Sequence, residues 1–234
     1  ELLAKKSILD IKDLSSYPKK DIGFDYYFVN SQNTFNKIKK YIPKKKIRLI
    51  YSPLIIDKKN KTKKIKKNKF KILYLGSLNK KKGVEILINS MNYVLKSYPM
   101  AKLYLFGELL DNFAFKKRVF YGGPITHNQA MKKILESELL VLPSFSESLP
   151  RVIIEAMYLN TKILVSKGVP ELERSLKNEN LLKGFSKKEI SMKIINQLSL
   201  YKFKKYNYDF DLHNNKKIIN SMYNCYIDLK KNAG

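Results

Sequence analysis

Two glutamates and one lysine are the residues of this chain whose types and spacing could do chemistry. Glu147 lies in the polar stretch Pro143-Ser144-Phe145-Ser146-Glu147-Ser148-Leu149-Pro150, and Glu155 follows eight positions later, within Arg151-Val152-Ile153-Ile154-Glu155-Ala156-Met157. Proline is favoured in the first turn of a helix, so a helix is predicted from near Pro150 onward. Glu155 then sits a little over one turn inside that helix, among apolar residues where a solvated carboxylate is unexpected. A helix start offers unpaired N–H groups and a positive dipole end to an anion. Two accepting carboxylates beside such a start suit a ligand with hydroxyls in two places and a diphosphate between them. Lys82 belongs to a second stretch, Gly76-Ser77-Leu78-Asn79-Lys80-Lys81-Lys82-Gly83. A glycine leaving a strand lets a ligand approach the backbone closely, and Lys82 could meet a diphosphate as a mobile point charge. Alone, this second stretch reads equally well as a lysine-bearing turn.

These stretches need a scaffold, and the rest of the pattern supplies one. Residues 24–30 read as a buried strand, Ser31 as the N-cap of a helix over 32–41 ended by Pro43, and 47–51 as another strand. Residues 58–69, nearly all lysine and asparagine, have almost nothing to bury and read as a linker at a boundary. Beyond them, strands over 70–75, 101–106, 119–121, 139–142 and 162–166 alternate with helices over 84–96, 128–136, 151–159 and 187–200. That alternation predicts an α/β fold: a Rossmann-like, doubly wound parallel sheet covered on both faces. In such sheets ligands bind outside the carboxyl ends of the strands. The stretches 76–83, 107 onward, 122–124 and 143–150 all fall there.

The formal net charge of +27 invites a nucleic-acid or membrane reading. Only four of the 47 basic residues are arginine, and asparagine and isoleucine abound, so a compositional bias accounts for most of the charge. Bidentate phosphate recognition would use more arginine. The charge would still draw the protein toward anionic headgroups. One cysteine, Cys225, excludes an intramolecular disulfide, and its apolar helical setting marks a buried structural thiol. Two distant histidines leave little material for a zinc site. No run of 18 apolar residues occurs, so cytoplasmic residence is expected, with peripheral attachment to the inner face of a membrane as the alternative. The chain opens on Glu1 within a polar, helix-like stretch, and we expect an N-terminal part to precede it.

The Glu-x7-Glu spacing, preceded by Pro143-Ser144 and closed by Glu155-Ala156-Met157, resembles the signature of family 4 glycosyltransferases. The segment 70–83 is similar to that family's strand, glycine loop and Lys-Gly helix start. The resemblance implies the GT-B architecture of two facing Rossmann-like domains, with retention of anomeric configuration. Residues 70–200 would then be the nucleotide-sugar-binding domain and 1–57 a remnant of the acceptor domain. Residues 201–234 would hold a helix, over about 214–230, that packs back toward the acceptor domain. The donor substrate would be a nucleotide-diphosphate sugar and the acceptor a glycan or glycolipid, with no metal and no other cofactor. Glu147 and Lys82 would be catalytic: Glu147 on hydroxyls of the transferred sugar, Lys82 on the diphosphate leaving group. Gly76, Ser77, Gly83, Gly122, Ser148, Leu149 and Pro150 would border the donor, and Glu155 would accept from the ribose hydroxyls. The stretch 121–125 would border the base. Two departures stand out: Ser77 replaces a customary arginine, and Asn160 a customary glycine. With the acceptor domain incomplete, the chain alone would not complete catalysis.

His127 could touch the base or sugar, though a surface position at a helix start fits it better. The rival reading is a basic, non-catalytic Rossmann-like module for nucleic acid or another polyanion. Glu147 and Glu155 argue against it, because two acids at the mouth of a phosphate-binding crevice repel a polyanion. A nicotinamide dehydrogenase would need Gly-x-Gly-x-x-Gly where only Gly76 and Gly83 stand.

Overall fold

A computed structural model of the chain describes residues 7–11, 17–56, 67–201 and 205–231. Two sheets form. The first is three-stranded, in the order β1 (Ile8–Ile11), β2 (Tyr26–Val29) and β3 (Ile47–Leu49), with both pairs parallel. Helix α1 (Gln32–Ile38) crosses from β2 to β3, and its N-cap Ser31 accepts the Thr34 N–H through its side chain. The helix stops three residues short of the expected end. Strand β1 was not anticipated: Ile-Leu-Asp-Ile is too short to show a period. Residues 1–6, where the polar, helix-like stretch was expected to open, lie outside the described residues.

The second sheet carries β4 (Asn68–Leu75), β5 (Lys102–Phe106), β6 (Val119–Tyr121), β7 (Ser137–Leu142), β8 (Lys162–Ser166) and β9 (Leu181–Leu182). Its spatial order is β6-β5-β4-β7-β8-β9 with every neighbouring pair parallel, which is the doubly wound arrangement expected. Helices α2 (Val84–Ser97), α3 (His127–Glu136), α4 (Arg151–Tyr158), α5 (Pro170–Ser175) and α6 (Lys187–Ser199) cover it. Because both faces are covered, the strands are apolar without alternation. Ile72, Leu73, Leu139, Leu140, Ile163 and Leu164 are all fully buried. Neither α5 nor β9 was predicted, both being too short for a sequence period.

The chain then returns to the first sheet. Helix α7 (Asn215–Lys231) buries Cys225 against Tyr26 and Phe28 of β2. The thiol is structural, and burial pushes its pKa up. Among the described residues, no helix is long and apolar enough to cross a membrane.

Most of the lysine-rich stretch lies outside the described residues, but its last three members do not form a linker. Asn68 already begins β4, and Lys67 Nζ donates to the Asn160 carbonyl at 2.8 Å and to Thr161 Oγ1 at 2.9 Å. Asn160 adopts φ +54° just beyond α4, a left-handed conformation asparagine tolerates, so it serves where a glycine is customary. Burial holds the Lys67 ammonium down from its ordinary 10.5 to about 8. Between those values the unfolded chain binds more protons than the folded one, so this lysine makes stability rise with pH from about 8 to 10.5. Urea unfolding across that range should show this slope in the wild type and lose it in Lys67→Met; an unchanged slope would exclude Lys67 as its source.

Candidate functional site

The strand order reverses between β4 and β7, and the two stretches singled out in sequence follow those two strands. After β4, Gly76 turns at φ +150° and the chain passes through a tight turn at Lys80–Lys82. Asn79 caps that turn, its Oδ1 accepting the Lys82 N–H at 2.9 Å. Gly83 then begins α2 in the left-handed region, at φ +68°. A Cβ on Gly83 would lie 2.1 Å from the Pro143 carbonyl oxygen, so no other residue fits there without moving backbone. The Phe145 N–H donates to the Lys81 carbonyl at 3.0 Å. The two loops are therefore docked backbone to backbone.

This docking brings the predicted lysine and the first glutamate together. Lys82 Nζ lies 2.7 Å from Glu147 Oε1, with Glu147 largely buried and Lys82 less so. The Tyr74 hydroxyl donates to the Ser77 carbonyl at 2.7 Å, and Asn79 Nδ2 donates to Ser77 Oγ at 3.2 Å. Burial, with the Glu147 charge nearby, pushes the Tyr74 phenol well above its usual range, so it stays a donor. Ser77 is thus part of the turn's own wiring. The neighbouring turns stack on the same edge: Gly107 N–H donates to the Gly123 carbonyl, and Gly122 N–H to the Leu105 carbonyl.

Glu155 is 5% exposed, as its apolar surroundings predicted. Its carboxylate is satisfied by His127, whose Nε2 lies 2.9 Å from Oε1, with Arg151 farther off at 3.7 Å. His127 does stand at the start of α3, next to the N-cap Thr126, whose capping box with Gln129 holds the turn. The ring is exposed, as a surface position at a helix start implies, but its reach to Glu155 was not anticipated. The two are 28 positions apart, and only the packing of α3 beside α4 joins them. The structure does not bring Glu155 and Lys82 into contact. They border opposite ends of the stretch that runs from Glu147 to Arg151.

That stretch forms one wall of an open cleft of about 560 Å³ between the two sheets. Glu147, Ser148, Pro150 and Arg151 line it from one side, Asn30 and Ser52 from the other. The backbone N–H groups of Ser148 and Leu149 pair with no group among the described residues. The cleft edge therefore combines a lysine, a carboxylate and unpaired amides, a set able to hold a ligand bearing both hydroxyls and phosphate.

Comparison with known proteins matches residues 55–209 to the family described as Glycosyl transferases group 1. The chain belongs to that family. A protein of Klebsiella pneumoniae, described as an uncharacterized 41.2 kDa protein in cps region, is 27% identical over 56% of this chain and 40% of its own length. An uncharacterized glycosyltransferase of Methanocaldococcus jannaschii is 30% identical over 42% of this chain and 26% of its own. Among solved structures, sucrose-phosphate synthase from Thermosynechococcus elongatus superposes with a TM-score of 0.66 at 18% identity, over 89% of this chain and 59% of that one. Anabaena HepE, solved in complex with UDP-glucose, gives 0.59 at 17% identity over 75% and 54%. The lipopolysaccharide outer core galactosyltransferase WaaB gives 0.61 at 17% over 88% and 62%. The chain thus spans less than half of the two curated relatives and somewhat over half of these structures.

In this group 1 glycosyltransferase chain, the buried Glu155 depends on His127 for its nearest partner. His127→Ala should cost about 1–2 kcal/mol by urea unfolding, since a buried carboxylate then loses its closest hydrogen bond. Made in a Glu155→Gln background, the same change should cost well under half of that. Equal costs in both backgrounds would show that the two side chains are not coupled.

Proposed function

We propose that this chain is the donor-binding part of a hexosyltransferase-type enzyme that moves a sugar from a nucleotide-diphosphate sugar to an acceptor hydroxyl with retention of configuration. The observation that carries the reading is the juxtaposition, at the reversal of strand order, of Lys82, Glu147 and the unpaired Ser148 and Leu149 amides. Family membership agrees with it.

In this reading Glu147 accepts hydroxyls of the transferred sugar, and the Ser148 and Leu149 amides meet the sugar and distal phosphate beside Pro150. Lys82 leaves Glu147 for the diphosphate, near Gly76, Ser77 and Gly83. Glu155, held by His127, accepts the ribose hydroxyls, and Gly122 and its neighbours border the base. As the bond between the anomeric carbon and the phosphate oxygen breaks, its electron pair goes to the diphosphate. The sugar carbon becomes oxocarbenium-like, as in glycoside hydrolysis. The acceptor oxygen then bonds to that carbon, and its proton passes to the departing diphosphate oxygen. Preorganised amides and an ammonium stabilise the developing phosphate charge without asking for a resident metal. The first sheet and α7 would contribute to the acceptor side, for a glycan or glycolipid in cell-surface polysaccharide synthesis.

Calorimetric titration with UDP, GDP, UDP-glucose, UDP-N-acetylglucosamine and GDP-mannose tests this directly. HepE was solved with UDP-glucose, which makes it the first ligand to try. One nucleotide should bind saturably, unaffected by EDTA, and Glu155→Gln should weaken it roughly ten- to a hundred-fold through a lost charged hydrogen bond. Silence toward every nucleotide, beside tight salt-sensitive binding of an oligonucleotide, would favour a polyanion-binding module instead.

The net charge of +27 further supports a place on the inner, anionic face of a membrane. The chain should co-sediment with phosphatidylglycerol vesicles at physiological salt but not with phosphatidylcholine vesicles. Equal recovery with both lipids would count against it.

A further inference from the structure

Helix α1 reaches across from the first sheet and grips the loop that carries Glu147. Ser148 Oγ donates to Asn30 Oδ1 at 2.7 Å and lies 2.8 Å from Ser31 Oγ and 3.0 Å from Thr34 Oγ1. A hydroxyl has one proton and two acceptor positions. With the Ser148 proton given to Asn30, the protons of Ser31 and Thr34 serve the three contacts among Ser148, Ser31 and Thr34, since Ser31 Oγ also lies 2.9 Å from Thr34 Oγ1. Asn33 Nδ2 donates to the Glu147 carbonyl at 3.2 Å and to the Gly168 carbonyl at 2.9 Å. The Gln32 N–H donates to Glu171 Oε1 at 2.5 Å. Ser31 and Thr34 are completely buried, so water does not compete for these bonds.

The pattern of what is bonded matters as much as the number of bonds. Across this contact the loop uses the Ser148 hydroxyl and the Glu147 carbonyl, while the Ser148 and Leu149 amides have no partner among the described residues. Polar loops left to themselves sample many conformations, and ordering one on ligand binding subtracts from affinity. A contact that orders the loop through its hydroxyl and carbonyl, and leaves its amide donors available, removes that cost in advance.

We propose that Asn30, Ser31, Asn33 and Thr34 form a positioning clasp, through which the first sheet sets the conformation in which the Glu147–Leu149 loop receives the distal phosphate and sugar. The clasp residues are positioning residues, acting through Glu147 and the loop amides. The functional half of this inference rests on the donor-site reading given above; the structural half does not.

Thr34→Val removes one hydroxyl at nearly constant shape, Thr34→Ser keeps it, and Asn33→Ala breaks the second contact without touching the helix cap. The first measurement needs no ligand. A Glu-specific protease is applied to the native chain, and cleavage after Glu147 is compared with cleavage after the exposed Glu108. Thr34→Val and Asn33→Ala should raise that ratio roughly three- to ten-fold, the equivalent of about one hydrogen bond, and Thr34→Ser should restore it. The second measurement compares affinity for UDP-glucose with affinity for UMP, which lacks the distal phosphate and sugar. If the titration above selects guanine, GDP-mannose and GMP replace them. The two clasp variants should lower the ratio by a similar factor and Thr34→Ser should not, whereas general destabilisation would leave the ratio alone. Unchanged cleavage after Glu147 overturns the clasp. Altered cleavage with an unchanged affinity ratio overturns its positioning role. If the wild-type chain binds no nucleotide at all, the donor reading fails, and cleavage alone decides whether α1 holds the loop.

Discussion

The structure depends on a backbone contact that leaves no room for a side chain. At Gly83 the first turn of α2 passes so close to the Pro143 carbonyl that any Cβ would sit 2.1 Å from its oxygen. One hydrogen bond, from the Phe145 amide to the Lys81 carbonyl, runs alongside. This contact joins the loop after β4 to the loop after β7, the two strands between which the sheet reverses its order. The facing of Lys82 and Glu147 follows from it. A partly exposed pair of this kind contributes roughly 0–1 kcal/mol, too little to dock two loops. The ion pair is therefore a consequence of the docking.

The two glutamates, similar in sequence, live under different constraints. Glu147 stands at the cleft edge, paired with a lysine that is itself partly exposed. Glu155 is packed inside the sheet's carboxyl edge with an imidazole as its nearest partner. A buried carboxylate is costly without such a partner, so His127 and Glu155 are structurally a single unit. Among the described residues, no group of three or more His, Cys, Asp or Glu is gathered closely enough to hold a metal ion.

A second set of contacts ties the sheets together at the base of the cleft. The Leu54 N–H donates to the His213 carbonyl at 3.1 Å, and His213 Nδ1 lies 2.7 Å from the Ser52 carbonyl. Its Nε2 is 2.8 Å from the Tyr208 hydroxyl. Burial lowers the His213 pKa, which favours the neutral ring. A neutral ring with its proton on Nδ1 satisfies both contacts, donating to Ser52 and accepting from Tyr208. The segment after α6 is thus bonded to the crossing between the sheets, and the Ser148 contacts with Asn30, Ser31 and Thr34 join the sheets a second time.

The doubly wound sheet was legible because its strands are short unbroken apolar runs separated by amphipathic helices, a pattern that buried parallel strands require. The places of Glu147, Glu155 and Lys82 were legible too, as residues at the carboxyl ends of β4 and β7. The short pieces β1, α5 and β9 were not, since so few residues carry no period, and neither short strand ends on a glycine of the kind that marks 119–121. Lys67 was misplaced because a lysine run looks solvated, and only its hydrogen bonds to Asn160 and Thr161 draw it inward. By itself, the sequence determined which loops reach the carboxyl edge of the sheet, because strand polarity sends every such loop there. Tertiary structure alone decided which side chains meet there. Lys82 faces Glu147 across 65 positions, His127 faces Glu155 across 28, and Ser31 faces Ser148 across 117. Separations of that length leave no trace in local periodicity or spacing; sheet order and helix packing fix them.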